Sequence, residues 1–415
     1  MRSSIVVVPL LLAACAMPRV VGTVDDHVEE VRKVGAELAT ADAVALGEHH
    51  RTPSVHRTHL ALIEAMHEKR PNMVIAMEMF ERDVQVDLDQ YLGGVIDEAT
   101  FRERSRPWPD YDVDYRPVIE FAKANGIVVL AANAPRPLAS RVAKEGLDAV
   151  ADERGKNVAR EISAPKDAYW DAFVDEMEES MAQHGGNLSP ATIERFYAAQ
   201  CLKDDTMAES IADYLHEHGG ETRPLAVLIC GKMHSDYRRG AVQRLHQRMP
   251  ELDIRVLSVE VVDDLSSGLY ASRREVADWV IVTDEHPPEP KIAAKVAAKP
   301  GAKMPDDSVH KGAGERSGEA PMDTEGLRPA LGLMPDYGSG GDGVLVAIVR
   351  EGGPADLGGM KSGDLIVELG GEKVADVEEY TDVLDMQQIG KPVKVKVKRG
   401  EETLELEVVV TSRSR

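Results

Sequence analysis

Between Gly47 and His59 the chain sets one carboxylate, Glu48, among four imidazoles, His49, His50, His56 and His59. Two groups of the same kinds stand far off in sequence, Glu78 after the run Met73–Met77 and His234 after Leu225–Cys230 and Gly231. Glu48, His49, Glu78 and His234 are oxygen and imidazole donors suited to zinc, iron or manganese. The same four would also serve as an acid/base set that polarises a water. Histidine and, less often, tyrosine hold haem iron, which adds His50, His56 and Tyr237 to His49 and His234 as candidates. Arg51, Arg57, Arg136, Arg238 and Arg239 lie near these residues and would pair with the carboxylates of such a ligand. For the Gly47–His59 stretch alone, a solvated histidine-rich loop competes with all of these readings.

The elements around these residues decide between a site and a loop. Ala43–Leu46, Met73–Met77, Gly126–Ala131 and Leu225–Cys230 are short apolar runs bounded by glycine and polar residues, the pattern of buried strands. Further strands are expected at Ile254–Val259 and Trp279–Val282. Helical spacing marks Asp25–Leu38, Pro53–Lys69, Asp83–Leu92, Tyr115–Ala124 and a long region from Lys166 to Glu217, broken near Gly185-Gly186 and restarted at Ser189-Pro190. Strand, polar turn and helix thus alternate, which predicts an α/β fold with a largely parallel sheet flanked by helices. The runs end at Glu48 with His49, Glu78, Asn133 and His234. Open parallel sheets place ligands at such carboxyl ends, so the four endings predict one shared rim.

Aromatic residues make up only 4% of the 415, so the cores must be aliphatic. A net charge of −23 leaves no broad phosphate-neutralising surface and excludes a nucleic-acid binder; attachment to anionic lipid would have to be hydrophobic. The start supplies such an attachment. A basic Met1–Ser4 precedes the apolar run Ile5–Leu12, which has signal-peptide proportions and is too short to span a bilayer. Its ending, Leu12-Ala13-Ala14-Cys15, resembles a bacterial lipobox. That resemblance implies a signal peptide over residues 1–15, a lipidated Cys15 holding the protein to a membrane, and, with Ala16 next, an outer-membrane place in the bacterial cell envelope. Cys201 and Cys230 are the remaining thiols; Cys230 reads as a small buried hydrophobe, and sequence leaves their pairing open.

Residues 285–326 are rich in proline, lysine, alanine and glycine and nearly devoid of large apolar side chains, the composition of a flexible linker. Residues 327–412 fold again. Leu331-Gly332-Leu333-Met334, Gly343–Val349, Gly353-Pro354-Ala355, Gly363–Gly371, a helix at Val377–Met386 and strands at Pro392–Lys398 and Thr403–Val410 resemble a small, β-rich PDZ domain in order and spacing. The resemblance implies that a C-terminal peptide of an envelope partner docks beside Leu331, Gly332 and Leu333.

Several blocks of the first part resemble the ChaN-type haem-binding lipoproteins. They are Leu46-Gly47-Glu48-His49 with His56, Ala76–Phe80, Trp108-Pro109, Arg116-Pro117 through Phe121-Ala122, Asn133–Arg136, Gln200 with Asp204, Thr206–Ser210, and Gly231 with His234. The domain is expected over residues 25–284. The resemblance implies a lipid-anchored domain that captures haem or a related iron ligand for uptake, with a homodimer as one way of enclosing it. The broader group is similar to Tiki-type metalloproteases and erythromycin esterase-like hydrolases. This keeps open a hydrolase centred on Glu48, His49, Glu78 and His234, with or without a divalent metal, and also a PDZ-centred scaffold.

Overall fold

The structure is a computed structural model. It describes residues 18–23, 27–108, 110–184, 189–220, 222–265, 275–285, 328–335, 343–350, 352–374, 380, 383–384, 386–400 and 402–413. Cys15 and residues 1–15, the linker from 286 to 326 and most of the helix expected at Val377–Met386 lie outside the described residues. The described chain forms two compact units, the first within Met1–Phe173 and Pro190–Pro288, the second within Val174–Ser189 and Glu289–Arg415.

The first unit is built on eight strands: β1 (Arg19–Gly22), β2 (His27–Glu29), β3 (Ala43–Glu48), β4 (Met73–Glu81), β5 (Val128–Asn133), β6 (Leu225–Gly231), β7 (Ile254–Val261) and β8 (Trp279–Thr283). Their order is β2-β1-β8-β7-β3-β6-β4-β5. The strands from β8 to β5 are parallel, and β1 and β2 close the other border antiparallel. The helices along this part of the chain are α1 (Val31–Leu38), α2 (Pro53–Lys69), α3 (Gln85–Leu92), α4 (Glu98–Ser105), α5 (Arg116–Asn125), α6 (Arg136–Glu145), α7 (Ala168–His184, which from Val174 on belongs to the second unit), α8 (Pro190–His218) and α9 (Gly240–Arg248). The expected largely parallel sheet with helical layers is what the chain forms.

Strand alternation builds two cores. Val44, Leu46, Ile75, Met77, Val227 and Ile229 pack under Val34 and Leu38 of α1 and Leu62, Ile63 and Met66 of α2. The intervening Ala43, Val74, Ala76, Ala226 and Leu228 pack against Met207, Ile211 and Leu215 of α8 and Leu245 of α9. Because both faces are covered, the central strands read as continuous apolar runs rather than alternating ones. Gly35 lets α1 and α2 touch, since a Cβ there would lie 2.5 Å from Ala65 Cβ and 3.0 Å from the Leu62 carbonyl. Gly35→Ala is therefore expected to cost about 1–3 kcal/mol by forcing the helices apart. An unchanged urea midpoint would contradict this close approach.

At the sheet border β5 is answered by a side chain rather than a strand. The Gln85 amide donates to the Val129 carbonyl (2.9 Å) and accepts from the Ala131 N–H (2.7 Å).

Several elements depart from expectation. Asp25–Leu38 is not one helix; its start lies in β2, paired with β1, and the helix begins at Val31 after an extended Glu30. Strands β3, β4 and β5 continue through Glu48, Glu81 and Asn133, so Glu48, Glu78 and Asn133 belong to the strands, whereas His234 lies past β6 in the turn Lys232–His234. Helices α4, α6 and α9 stand where no helix was expected; α4 lacks a distinct apolar face, whereas α6 and α9 are amphipathic and were overlooked. Cys201 and Cys230 are buried free thiols.

The second unit holds β9 (Arg328–Ala330), β10 (Leu333–Pro335), β11 (Val344–Val349), α10 (Pro354–Leu357), β12 (Leu365–Leu369), β13 (Glu372–Lys373), β14 (Pro392–Arg399), β15 (Glu402–Val409) and β16 (Thr411–Arg413). An antiparallel sheet runs β10-β11-β12-β14-β15, with β13 on β12 and a separate β9–β16 pair. In β14, Val393, Val395 and Val397 turn into the core while Lys394 and Lys398 face solvent, a half-buried strand's alternation. Leu331 is buried and its carbonyl accepts from Ala355 N–H, while the Gly332 carbonyl accepts from Arg350 N–H. Gly332 has φ +71, and a Cβ there would meet Pro354 at 2.7 Å, so this turn requires glycine.

Candidate functional site

The alternation that builds the two cores also sorts the carboxylates. Glu48 follows Leu46 by two residues and so falls on the α2 side of the sheet; Glu78 follows Ala76 and falls on the α8 side. The candidate site is therefore two half-sites at one strand-end rim.

On the α2 side, Glu48 is 1% exposed. Its Oε1 accepts from the Tyr115 hydroxyl (2.7 Å) and lies 2.8 Å from His50 Nδ1. Its Oε2 lies 3.2 Å from His56 Nδ1 and 3.8 Å from His59 Nδ1. His56 and His59 are one turn apart on α2, which presents both rings to the end of β3. The far nitrogen of His56 is 3.5 Å from Asp114 Oδ2, in the wide turn Tyr111–Tyr115 that leads into α5. Burial works against the charged form of Glu48, but His56 and His50 outweigh it and hold the carboxyl far below the ordinary range. Burial pushes His59 down to about 4, so it is a neutral imidazole at pH 7. Burial raises Asp114 to about 6.

On the α8 side, His234 bridges two acids. Its Nδ1 is 2.6 Å from Asp204 Oδ1 and its Nε2 is 3.3 Å from Glu78 Oε1. Glu78 Oε2 accepts the Gly231 N–H at 2.8 Å, and the Asn133 amide donates to the Glu78 carbonyl. Asp204, fully buried on α8, also faces Arg244 of α9 at 3.9 Å, and Arg244 reaches Asp205 at 3.2 Å. Burial opposes a charge on His234, yet Glu78 and Asp204 raise it to about 10; His234 in turn brings Glu78 down to about 2. The group is an imidazolium clamped between carboxylates.

The halves meet over Gly231. A side-chain carbon there would lie 3.0 Å from His50 Nε2 and 3.6 Å from Glu78 Oε2, so only glycine lets these two groups close on the strand end. Gly47 does the same for the backbone, since its Cβ would stand 2.7 Å from Ser235 Oγ and 3.2 Å from Lys232 Cα. His50 is the solvent-facing member, with its side chain 40% exposed. Its ring meets the edge of Trp108 at 4.9 Å, and the Arg136 guanidinium lies over Trp108 at 5.7 Å.

Glu48, His50, His56, Glu78 and His234 are thus gathered at one rim, as the strand endings predict. His49 does not join them. Two-residue alternation carries His50 to the Glu48 side and turns His49 away, where burial and Lys232 push it down to about 4. Tyr237 is 44% exposed, in a left-handed turn (φ 58), with Arg239 over its ring. Arg136 sits beside Glu81 at 3.7 Å as well as over Trp108. Arg51 faces Asp110 and Arg238 pairs with Asp278, while Arg57 is exposed on α2. His59 was among the four imidazoles of the opening stretch, whereas Asp114, Tyr115 and the pairing of Asp204 with His234 were not singled out by spacing. The His56-x-x-His59 interval inside a proline-started helix is the signal that puts His59 beside His56.

Comparison with known proteins bears on this geometry. Residues 34–245 match the family described as haem-binding uptake, Tiki superfamily, ChaN. Residues 322–410 match the PDZ domain. Protein RETICULATA-RELATED 5, chloroplastic, of Arabidopsis thaliana is 22% identical over 242 residues, 54% of this chain and 32% of that protein. A probable periplasmic serine endoprotease, DegP-like, of Rickettsia conorii is 37% identical over 89 residues, 21% of this chain and 16% of that protein. The chain therefore spans a third or less of either relative. The structure describing cofacial haem binding to ChaN of Campylobacter jejuni is 15% identical, with TM-score 0.47, covering 64% of this chain and 96% of that one. Matched over about half of its 415 residues, the chain belongs to the haem-binding uptake, Tiki superfamily, ChaN family, and it carries a PDZ domain.

Proposed function

We propose that the first unit binds haem at the β3–β6 rim. The observation that carries this reading is His50, a solvent-facing imidazole whose Nδ1 is held by a buried carboxylate and whose other nitrogen stays open. A carboxylate on the remote nitrogen fixes an imidazole's orientation and raises its basicity as a metal ligand. Trp108 offers an aromatic wall and Arg136 a cation for a propionate. Tyr237, flanked by Arg238 and Arg239, is the second exposed ligand of the right kind. His56 and His234, also read from the sequence as ligands, are buried and engaged by acids, so they support the rim from beneath. Bound haem supplies an iron centre with open coordination; the chain's part is to hold and orient it.

Titration of the full chain with hemin should give a saturable Soret shift. His50→Ala should weaken it, and Glu48→Gln should cost about 10–100-fold in affinity if the carboxylate–imidazole pair matters as such pairs do elsewhere. No Soret change in the wild type would overturn the proposal.

The rest of the reading is proposed with it. Lipidated Cys15 holds the protein in the bacterial envelope, at the outer membrane, where captured haem enters iron uptake. Among the described residues no helix is long and apolar enough to cross a membrane. The PDZ domain receives the C-terminus of an envelope protein at Leu331, Gly332 and Leu333, alongside β10, whose other side pairs with β11. A peptide with a free carboxylate should bind the full chain and its amidated form should not.

One observation favours a second reading, a hydrolase. His50 Nε2 and Glu78 Oε2 converge on Gly231 with His234 behind them, a place for a water between a base and an imidazolium. Ester or peptide turnover lost in Glu78→Gln, with Soret binding unchanged, would establish it.

A further inference from the structure

The Glu48 carboxylate is used unevenly. Oε1 is occupied by Tyr115 and His50, whereas Oε2 is buried with no hydrogen-bond partner. The ring nitrogens of His59, with the Gly47 backbone beside the ring, and His56 Nε2 and Asp114 Oδ1 likewise lack a hydrogen bond of good geometry. The residues concerned, Glu48, His56, His59 and Asp114, are each at most 3% exposed. Buried polar atoms are almost always paired, so a group of orphans facing one another marks a missing occupant.

We infer that Glu48, His56 and His59 form a buried site for one divalent transition-metal cation of the zinc class, beneath the haem rim and sharing Glu48 with it. One ligand atom from each lies within 4.8 Å of the others. Four ligands about 2.0–2.1 Å from zinc stand about 3.4 Å apart. The separations of Glu48 Oε2 from His56 Nδ1 (3.2 Å) and from His59 Nδ1 (3.8 Å) already bracket that edge. Two imidazoles and one carboxylate oxygen suit zinc, cobalt or iron, whereas calcium and magnesium take oxygen shells. The outer shell is also present. With His56 Nδ1 on the metal, its Nε2–H faces Asp114 Oδ2 at 3.5 Å, the carboxylate–histidine–metal arrangement that fixes a ligand ring. Tyr115 and His50 do the same for the carboxylate by saturating Oε1. A fourth position is left for water or for His59's neighbours to shield.

Spacing on α2 explains how the sequence makes such a site. His56 and His59 come from one helix face and Glu48 from the strand just before it, so a single β–α connection supplies all three ligands. All three ligands are buried, so the metal enters during folding or through local opening of the start of α2.

Cobalt(II) is the probe. Full-length protein stripped with chelator and refolded with cobalt(II) should retain one equivalent per chain and show the intense visible bands of a four-coordinate ion, displaced by zinc(II). His59→Gln should lower that affinity at least about 10-fold, the scale seen when a metal site loses a supporting group, while keeping the hemin Soret response. Weak six-coordinate bands in the wild type, or unchanged stoichiometry and spectrum in His59→Gln, would overturn the proposal. Should His59→Gln fail to fold, zinc-edge X-ray absorption of the wild type decides, with two imidazoles required and any shell lacking them contrary. The haem reading fails separately, on absence of a Soret shift, whatever cobalt does.

Discussion

Glu48→Ala is expected to lower the unfolding free energy of the first unit by about 3–5 kcal/mol, the cost of deleting one partner from a buried ionic group. The loss is not that of a single contact. Tyr115, His50 and His56 all orient on this carboxylate, and the buried Tyr115 and His56 would lose a partner that water cannot readily replace. Glu48→Gln keeps an oxygen acceptor for Tyr115 and should cost less, so the pair separates charge from hydrogen bonding. Urea unfolding of the full chain followed by circular dichroism checks both. A change below about 1 kcal/mol for Glu48→Ala would mean the imidazoles find water instead. The same substitution should abolish cobalt retention, because it removes the carboxylate that His56 and His59 share.

The second large effect belongs to Asp204. Asp204→Ala leaves His234 with one acid instead of two and takes a nearby carboxylate from buried Arg244, a loss again of about 3–5 kcal/mol. The pH dependence follows from the sign of each shift. His234 is raised, so its stabilisation is complete below its ordinary value of 6.5 and is lost as pH rises through about 10. Glu78 is lowered, so its stabilisation is present above 4.5 and is lost as pH falls toward about 2. The wild-type ring should therefore remain protonated at pH 8 in a nitrogen-15 NMR titration, and Asp204→Asn should move its midpoint down. A wild-type midpoint near 6.5 would show that the clamp between Glu78 and Asp204 does not form.

Much of this was legible in the sequence because it rests on apolar patterning. The runs at Ala43, Met73 and Leu225 announce the central strands, and the proline at residue 53 starts a helix whose bounds are those expected. Convergence of Glu48, Glu78 and His234 followed from their places at strand ends. What patterning could not supply was facing. Extending the strand by two residues, from Glu48 to His50, assigns the ring correctly, whereas reading Gly47 as a turn hands the role to His49. Asp204 lies in the middle of a long helix; the resemblance marked it together with Gln200, but only the fold shows that its face is turned to the sheet. Asp114 and Tyr115 come from an irregular turn between helices, and no periodicity marks it.

The single amide of Gln85 also limits what the first unit can become. Strand β5 lies at the border of an eight-stranded sheet, where another polypeptide would ordinarily find a template for zippering. The carbonyl of Val129 and the N–H of Ala131 are already satisfied from within the chain. Lateral growth past that border would require evicting a resident side chain first.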